Sequence, residues 1–120
     1  MYVVKRTEHN PILAPNTDHY WEEFATFNMC PIKYKDSIYG LYRAISAVDA
    51  IRNPHQISVI GIAKSKDGEH FKDRSLFIGP AEEWDQYGCE DPRITYFEGK
   101  HYIFYTALSK YPLGPEGIKV

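Results

Sequence analysis

Short apolar stretches, separated by turn signals, recur along the chain. Each is four to eight residues long and rich in aromatic and β-branched side chains, which is typical of strands. Between two of them, Asp67-Gly68 supplies the positive φ angles that a tight hairpin needs. No segment of ten residues shows helical periodicity, so the pattern predicts an all-β protein. The predicted strands cover residues 27–34, 38–44, 57–63, 71–78, 94–97 and 102–107.

Residues in and between these strands also predict an edge strand, two loops and the residues that anchor the core. Pro31 lacks a backbone N–H, which confines it to an edge strand or to the start of a strand. Residues 46–56 and 79–92 are predicted to be loops, since they are rich in polar and turn-forming residues. Trp21 and Phe24, just before the first strand, are predicted to anchor the core, and Trp84 is predicted, like Trp21, to anchor a blade.

The chain repeats itself at an interval of 63 residues, the distance from Trp21 to Trp84. A unit of that length holds about four strands, which is the size of one blade of a β-propeller. The same interval places Asn28 opposite Asp91. Further aligned pairs are Glu22 with Asp85, Tyr39 with Tyr102, Tyr42 with Tyr105, and Ala44 with Ala107.

The repeat predicts one partial propeller domain over residues 1–120. Residues 1–80 would hold an N-terminal segment and the first blade, and residues 81–120 an incomplete second blade. A ring of four or five such blades needs roughly 250–315 residues. Unpaired strand edges favour association, so we expect a homo-oligomer or a requirement for missing blades.

Composition excludes several classes of function. The net charge of −2 argues against a nucleic-acid partner. No apolar run approaches the roughly 20 residues that cross a bilayer, and the N-terminus lacks the apolar core of a signal peptide, so a cytoplasmic protein is expected. The two cysteines and five histidines show no metal-ligand spacing, so no metal is expected.

The stretch Gly88-Cys89-Glu90-Asp91-Pro92-Arg93 is the strongest candidate for chemistry. Pro92 disfavours helical geometry at Asp91, which predicts an extended backbone there. In an extended segment Glu90 and Asp91 lie on opposite faces, and Arg93 lies on the same side as Asp91, where it could clamp an anion or a sugar hydroxyl. The alternative is a turn with a surface ion pair. Cys89 has no neighbouring histidine to activate it as a nucleophile.

Six segments occur in an order and spacing that resembles glycoside hydrolase family 130, which contains the β-mannoside phosphorylases and some related hydrolases. The resemblance implies a five-bladed β-propeller with its active site in the axial cleft. The segments are Asn10-Pro11-Ile12-Leu13, Phe27-Asn28, Leu41-Tyr42-Arg43-Ala44, residues 65–71, residues 88–93 and residues 102–107.

The resemblance implies a role for five residues. Asp91 matches the catalytic acid, which protonates the glycosidic oxygen, in some members through a sugar hydroxyl, while inorganic phosphate attacks the anomeric carbon. Asn28 and Arg43 match positions at the sugar and phosphate end of the cleft. Glu90 and Arg93 match positions that orient Asp91. Phosphate is the co-substrate and no cofactor is implied, while the family's remaining phosphate ligands lie in later blades.

The leading expectation is an enzyme that resembles the β-1,4-mannoside phosphorylases and releases α-mannose 1-phosphate with inversion. One alternative is a non-catalytic sugar-binding or structural piece of a propeller, and another is a β-mannoside hydrolase. A hydrolase of arabinan-like or fructan-like substrates needs a carboxylate at the channel mouth in the first blade. Asn28 occupies that place, which argues against this class.

Overall fold

The computed structural model describes residues 1–47, 55–112 and 114–120, which form an all-β protein with seven strands in one open sheet. The predicted all-β class is therefore confirmed. Within these ranges the helical content is one 3₁₀ turn, Pro115–Gly117, and no helix could span a membrane. Much of the predicted loop at residues 46–56 lies outside the described residues. The strands are β1 Ala25–Tyr34, β2 Ser37–Ile45, β3 Ser58–Ser65, β4 Lys72–Ile78, β5 Gly88–Phe97, β6 Lys100–Leu108 and β7 Ile118–Lys119.

The sheet consists of two antiparallel units. Strands β1 to β4 form a meander in sequence order, and β5, β6 and β7 form a second one. A single parallel pair, Ser58 with Gly88, joins β3 to β5. We call this junction the seam. Strand β1 lies at the outer end of the order, which agrees with the edge position predicted from Pro31. Four strands in a meander have the arrangement of a propeller blade.

The two units repeat one another at the interval found in the sequence. Strands β5 and β6 begin 63 residues after β1 and β2. An equivalent backbone hydrogen bond lies just before the first strand of each unit. The Phe24 N–H donates to the Ile45 carbonyl (3.1 Å), and the Tyr87 N–H donates to the Leu108 carbonyl (2.9 Å). Strand β7 pairs with the end of β6 as β3 pairs with the end of β2. The domain boundary at residue 80 stays a prediction.

Each unit also buries one carboxylate under a tyrosine. In the first, the fully buried Glu22 accepts hydrogen bonds from the Tyr42 hydroxyl (2.8 Å) and from Arg74 (3.3 Å). In the second, Asp85 accepts one from the Tyr105 hydroxyl (3.0 Å). Burial acts to raise the pKa of Asp85, but hydrogen bonds from the backbone N–H groups of residues 82 and 81 outweigh it and lower the pKa. Both carboxylates are thus structural.

The core lies within the first unit and at the junction of the units. Trp21 is buried as predicted, but Phe24 is 58% exposed, so its predicted role as a core anchor is wrong. Trp84 is 52% exposed and lies beside Phe104 in an open cleft. Burial cannot be predicted from an aromatic residue type alone, because it depends on which face of the sheet another element covers. The two buried clusters are Trp21, Tyr42, Ala44, Val59 and Ala63, and Leu41, Ile60 and Cys89.

Gly61 is a position where the core has no room for a side chain. A Cβ atom there would lie 2.5 Å from the ring of Tyr42 and 2.7 Å from that of Trp21. We expect Gly61→Ala to lower the free energy of unfolding by about 1–3 kcal/mol through overpacking, as measured by urea denaturation. Gly79→Ala is the matched control, because its nearest atom is 3.6 Å away. Equal stabilities for the two variants would contradict the prediction.

Candidate active site at the seam of the two units

Two equivalent β-bulges build the site. One interrupts β1 between Phe27 and Cys30, and the other interrupts β5 between Glu90 and Arg93. The predicted loop at residues 79–92 is therefore wrong for its last five residues, because a bulge tolerates proline within a strand. Asn28 (φ 51°) and Asp91 (φ 50°) both adopt the left-handed conformation.

The extended backbone predicted at Asp91 is also wrong. A bulge places an additional residue between two ladder pairs, and that residue departs from extended geometry. Asparagine and aspartate tolerate positive φ better than most side chains do. Pro92 disfavours the right-handed helical region at Asp91 and favours extended geometry, so the proline does not account for the positive φ. The bulge therefore sets the backbone conformation of Asp91 and changes the direction of its side chain.

Arg43, near the end of β2, lies between both carboxylates. Its Nη2 donates a hydrogen bond to Glu90 Oε1, and its Nη1 lies 3.6 Å from Asp91 Oδ1. The prediction that Glu90 and Asp91 lie on opposite faces is wrong. The bulge breaks the alternation of the strand, so both carboxylates reach one guanidinium.

Asn28 links the two bulges directly. Its Nδ2 donates a hydrogen bond of 2.7 Å to Asp91 Oδ1. The ring of the neighbouring Phe27 lies 4.9 Å from the guanidinium carbon of Arg43, within cation–π range. Asp91 is held by an amide and faced by a cation, and its side chain remains 39% exposed. It is therefore both oriented and accessible.

The structure adds Ser58, which sequence reasoning missed. Its hydroxyl accepts a hydrogen bond from Arg43 Nε (3.0 Å) and donates one to Glu90 Oε1 (3.0 Å). One signal was available, since Ser58 is the sole polar side chain in the apolar run 57–63. Nothing local, however, shows that β3 meets β5 at this residue.

Arg93 does not join the group. It is exposed, and its Nη1 donates to the carbonyl of the adjacent Pro92 (2.8 Å). Across the described ranges, no group of three or more metal-ligating side chains occurs. When both carboxyl groups are ionised, Glu90, Asp91 and Arg43 together carry two negative charges and one positive charge. A trio with that balance does not by itself attract phosphate.

Cys89 is adjacent to the site, and its side chain is fully buried. Burial, reinforced by the charge of Asp85, raises the pKa of the Cys89 thiol to about 12. At pH 8 only about one thiol in ten thousand is then ionised. We expect iodoacetamide at pH 8 to leave Cys89 unmodified in the folded chain and to alkylate it in guanidinium chloride, as mapped by peptide mass spectrometry. Rapid alkylation of the folded chain would show that the thiol is accessible or activated.

The fold and the site define an all-β protein of the propeller type, with a carboxylate–guanidinium group where two blade-like units meet. A family model described as beta-1,4-mannooligosaccharide phosphorylase matches residues 4–113. The chain belongs to glycoside hydrolase family 130. The predicted family is thereby confirmed.

The chain is similar to two phosphorylases and to the structure of a glycosyl hydrolase. It is 35% identical to a beta-1,2-mannobiose phosphorylase and 33% identical to a 1,2-beta-oligomannan phosphorylase, both from Thermoanaerobacter sp. (strain X514). Each alignment covers 90% of the chain but only 38% and 37% of the relative, respectively. A glycosyl hydrolase structure from Bacteroides ovatus superposes with a TM-score of 0.74 at 29% identity, over 88% of this chain and 34% of that one. The chain thus spans about a third of these relatives' length.

Proposed function

We propose that this chain provides the acid-bearing part of a β-mannoside phosphorylase site. The single observation that carries the proposal is the arrangement of Asp91, which is oriented by Asn28, faced by Arg43 and still partly exposed. Membership of the family supports the substrate class. The names of the two Thermoanaerobacter relatives favour a β-1,2 linkage over the β-1,4 linkage expected from the sequence.

In the proposed reaction Asp91 is the general acid. The Asn28 amide occupies Oδ1, which leaves Oδ2 to carry the proton. That proton passes to the glycosidic oxygen as the bond from this oxygen to the anomeric carbon breaks. A phosphate oxygen forms the new bond to the anomeric carbon from the opposite face, so configuration inverts. The products are α-mannose 1-phosphate and a shortened acceptor. One protein carboxylate suffices, since phosphate is the nucleophile, and no metal or organic cofactor has a role.

Arg43 has a positioning role in this proposal. Its Nε and Nη2 each donate to a protein partner, and its Nη1 faces Asp91. Its positive charge therefore already interacts with the carboxyl groups of Glu90 and Asp91. A phosphate dianion needs cations of its own. We assign phosphate binding to groups beyond the Arg43 network, in line with a chain that spans only about a third of its relatives' length.

Further blades, or further copies of the chain, would supply those groups. Large aromatic side chains on the second unit remain exposed, among them Tyr96, Phe97 and Phe104. Exposed apolar surface of this kind favours association. The proposed partners are therefore a β-mannoside, inorganic phosphate and additional propeller polypeptide.

The test is incubation with β-1,2-mannobiose or β-1,4-mannobiose, each with and without inorganic phosphate. Products are separated by anion-exchange chromatography. We expect mannose 1-phosphate from the β-1,2 disaccharide only when phosphate is present. Phosphate-independent release of mannose would instead identify a hydrolase. Absence of both products from folded protein would contradict activity of this chain on its own.

A further inference from the structure

Ser58 closes a ring of hydrogen bonds with Arg43 and Glu90. Arg43 Nε donates to the Ser58 hydroxyl, the hydroxyl donates to Glu90 Oε1, and Arg43 Nη2 donates to the same Oε1. The direction of each bond is fixed, because a guanidinium has only donors and a hydroxyl has one proton. Ser58 is 4% exposed, so water does not readily replace its hydroxyl.

The seam brings these three side chains together. Arg43 pairs with Ile60 across β2 and β3, and Ser58 precedes Ile60 by two residues, so it lies on the same face. On the other side of the seam Ser58 pairs with Gly88, and Glu90 follows Gly88 by two residues. Ser58 therefore joins the two units in two ways. Its backbone pairs with Gly88, and its hydroxyl bonds both Arg43 and Glu90.

Removal of the hydroxyl would change where the guanidinium lies. Arg43 Nε–H would lose its partner at a poorly hydrated position, which is unfavourable for a charged donor. A guanidinium bonds a carboxylate best through two parallel N–H groups. Without Ser58, Arg43 can rotate so that Nε and Nη2 both bond Glu90. That rotation withdraws Nη1 from its position 3.6 Å from Asp91.

The geometry points to Ser58 as a positioning residue, which holds the Arg43 guanidinium between Glu90 and Asp91 and thereby orients the acid. This role rests on the function proposed above for Asp91. Ser58 touches neither reacting atom, and it acts through Arg43.

The first readout needs no turnover. In the full chain labelled with ¹⁵N-arginine, the Nε–H signal of Arg43 is assigned by its loss in Arg43→Lys. We expect Ser58→Ala to accelerate hydrogen exchange of this N–H at least about tenfold, since it loses its acceptor. Ser37→Ala is the matched control, because Ser37 is 6% exposed and begins β2 at the opposite end of the sheet. It should leave the signal unchanged.

The second readout is kinetic, in the preparation that forms mannose 1-phosphate. Ser58→Ala should lower kcat about tenfold while the KM for mannobiose changes little, and Ser58→Thr, which keeps a hydroxyl, should recover part of the loss. Ser37→Ala should retain the wild-type kcat.

The outcomes separate the two proposals. Unchanged Nε–H exchange in Ser58→Ala overturns the role of Ser58, whatever the activity. Accelerated exchange in a chain without turnover supports the role of Ser58 in placing Arg43 and counts against the phosphorylase proposal alone. If Ser58→Ala does not fold, Glu90→Ala is read on the same signal, because alanine removes the acceptor that the Ser58 hydroxyl and Arg43 Nη2 share. Faster exchange there supports the ring of hydrogen bonds, and unchanged exchange overturns it.

Discussion

Asp91→Asn is expected to reduce phosphorolysis by about 10²–10⁴-fold while the chain folds as before, because general acid catalysis contributes about that much and an amide is too weak an acid to donate a proton. Asparagine keeps an acceptor oxygen for the Asn28 amide, which now lies 2.7 Å from Asp91 Oδ1. It also tolerates the left-handed backbone at this residue. Initial rates of mannose 1-phosphate formation measure the effect, and circular dichroism checks the fold.

Asp73→Asn is the matched control for this variant. Asp73 is an exposed aspartate in β4 that also has a positive φ (52°), so the same chemical change is made in the same backbone conformation. It should leave the rate within about twofold of wild type, as expected for a surface substitution. If Asp91→Asn and Asp73→Asn retained similar activity, Asp91 would not be the acid.

Glu22→Ala is expected to have the largest effect on stability, a loss of about 3–5 kcal/mol in the free energy of unfolding. Glu22 is fully buried and accepts hydrogen bonds from Tyr42 and Arg74. Its removal leaves the Arg74 cation without its carboxylate and the fully buried Tyr42 hydroxyl without its acceptor. Burial and the neighbouring Glu22 raise the pKa of Tyr42, so its hydroxyl stays protonated and needs that acceptor at every ordinary pH.

Urea denaturation measures this loss, with Glu23→Ala as the control. Glu23 is the next residue in the chain and is only partly buried, so its removal should cost less than about 0.5 kcal/mol. A loss below about 1 kcal/mol for Glu22→Ala would mean that water or a shifted side chain satisfies Arg74 and Tyr42.

Much of the fold follows from local signals. Short aromatic and β-branched stretches between turn residues predicted the strands, and the 63-residue repeat predicted that β5 and β6 copy β1 and β2. Each predicted strand depends on residues close together in the chain, and the repeat is found by comparing one stretch of the chain with another. The wrong predictions concern side-chain burial, which depends on residues far away in the chain. Whether Phe24 and Trp84 are exposed depends on which elements cover them.

The amino-acid sequence alone is enough to predict the all-β class, the repeated unit, the family and Asp91 as the leading candidate acid. The tertiary structure alone decided how Asp91 is aimed and what surrounds it. Its bulge exists only through pairing with β6, and the contact between Ser58 and Glu90 spans 32 positions in the chain. Side-chain periodicity describes one strand at a time, whereas the register between strands and the seam between units come from packing that no single segment encodes.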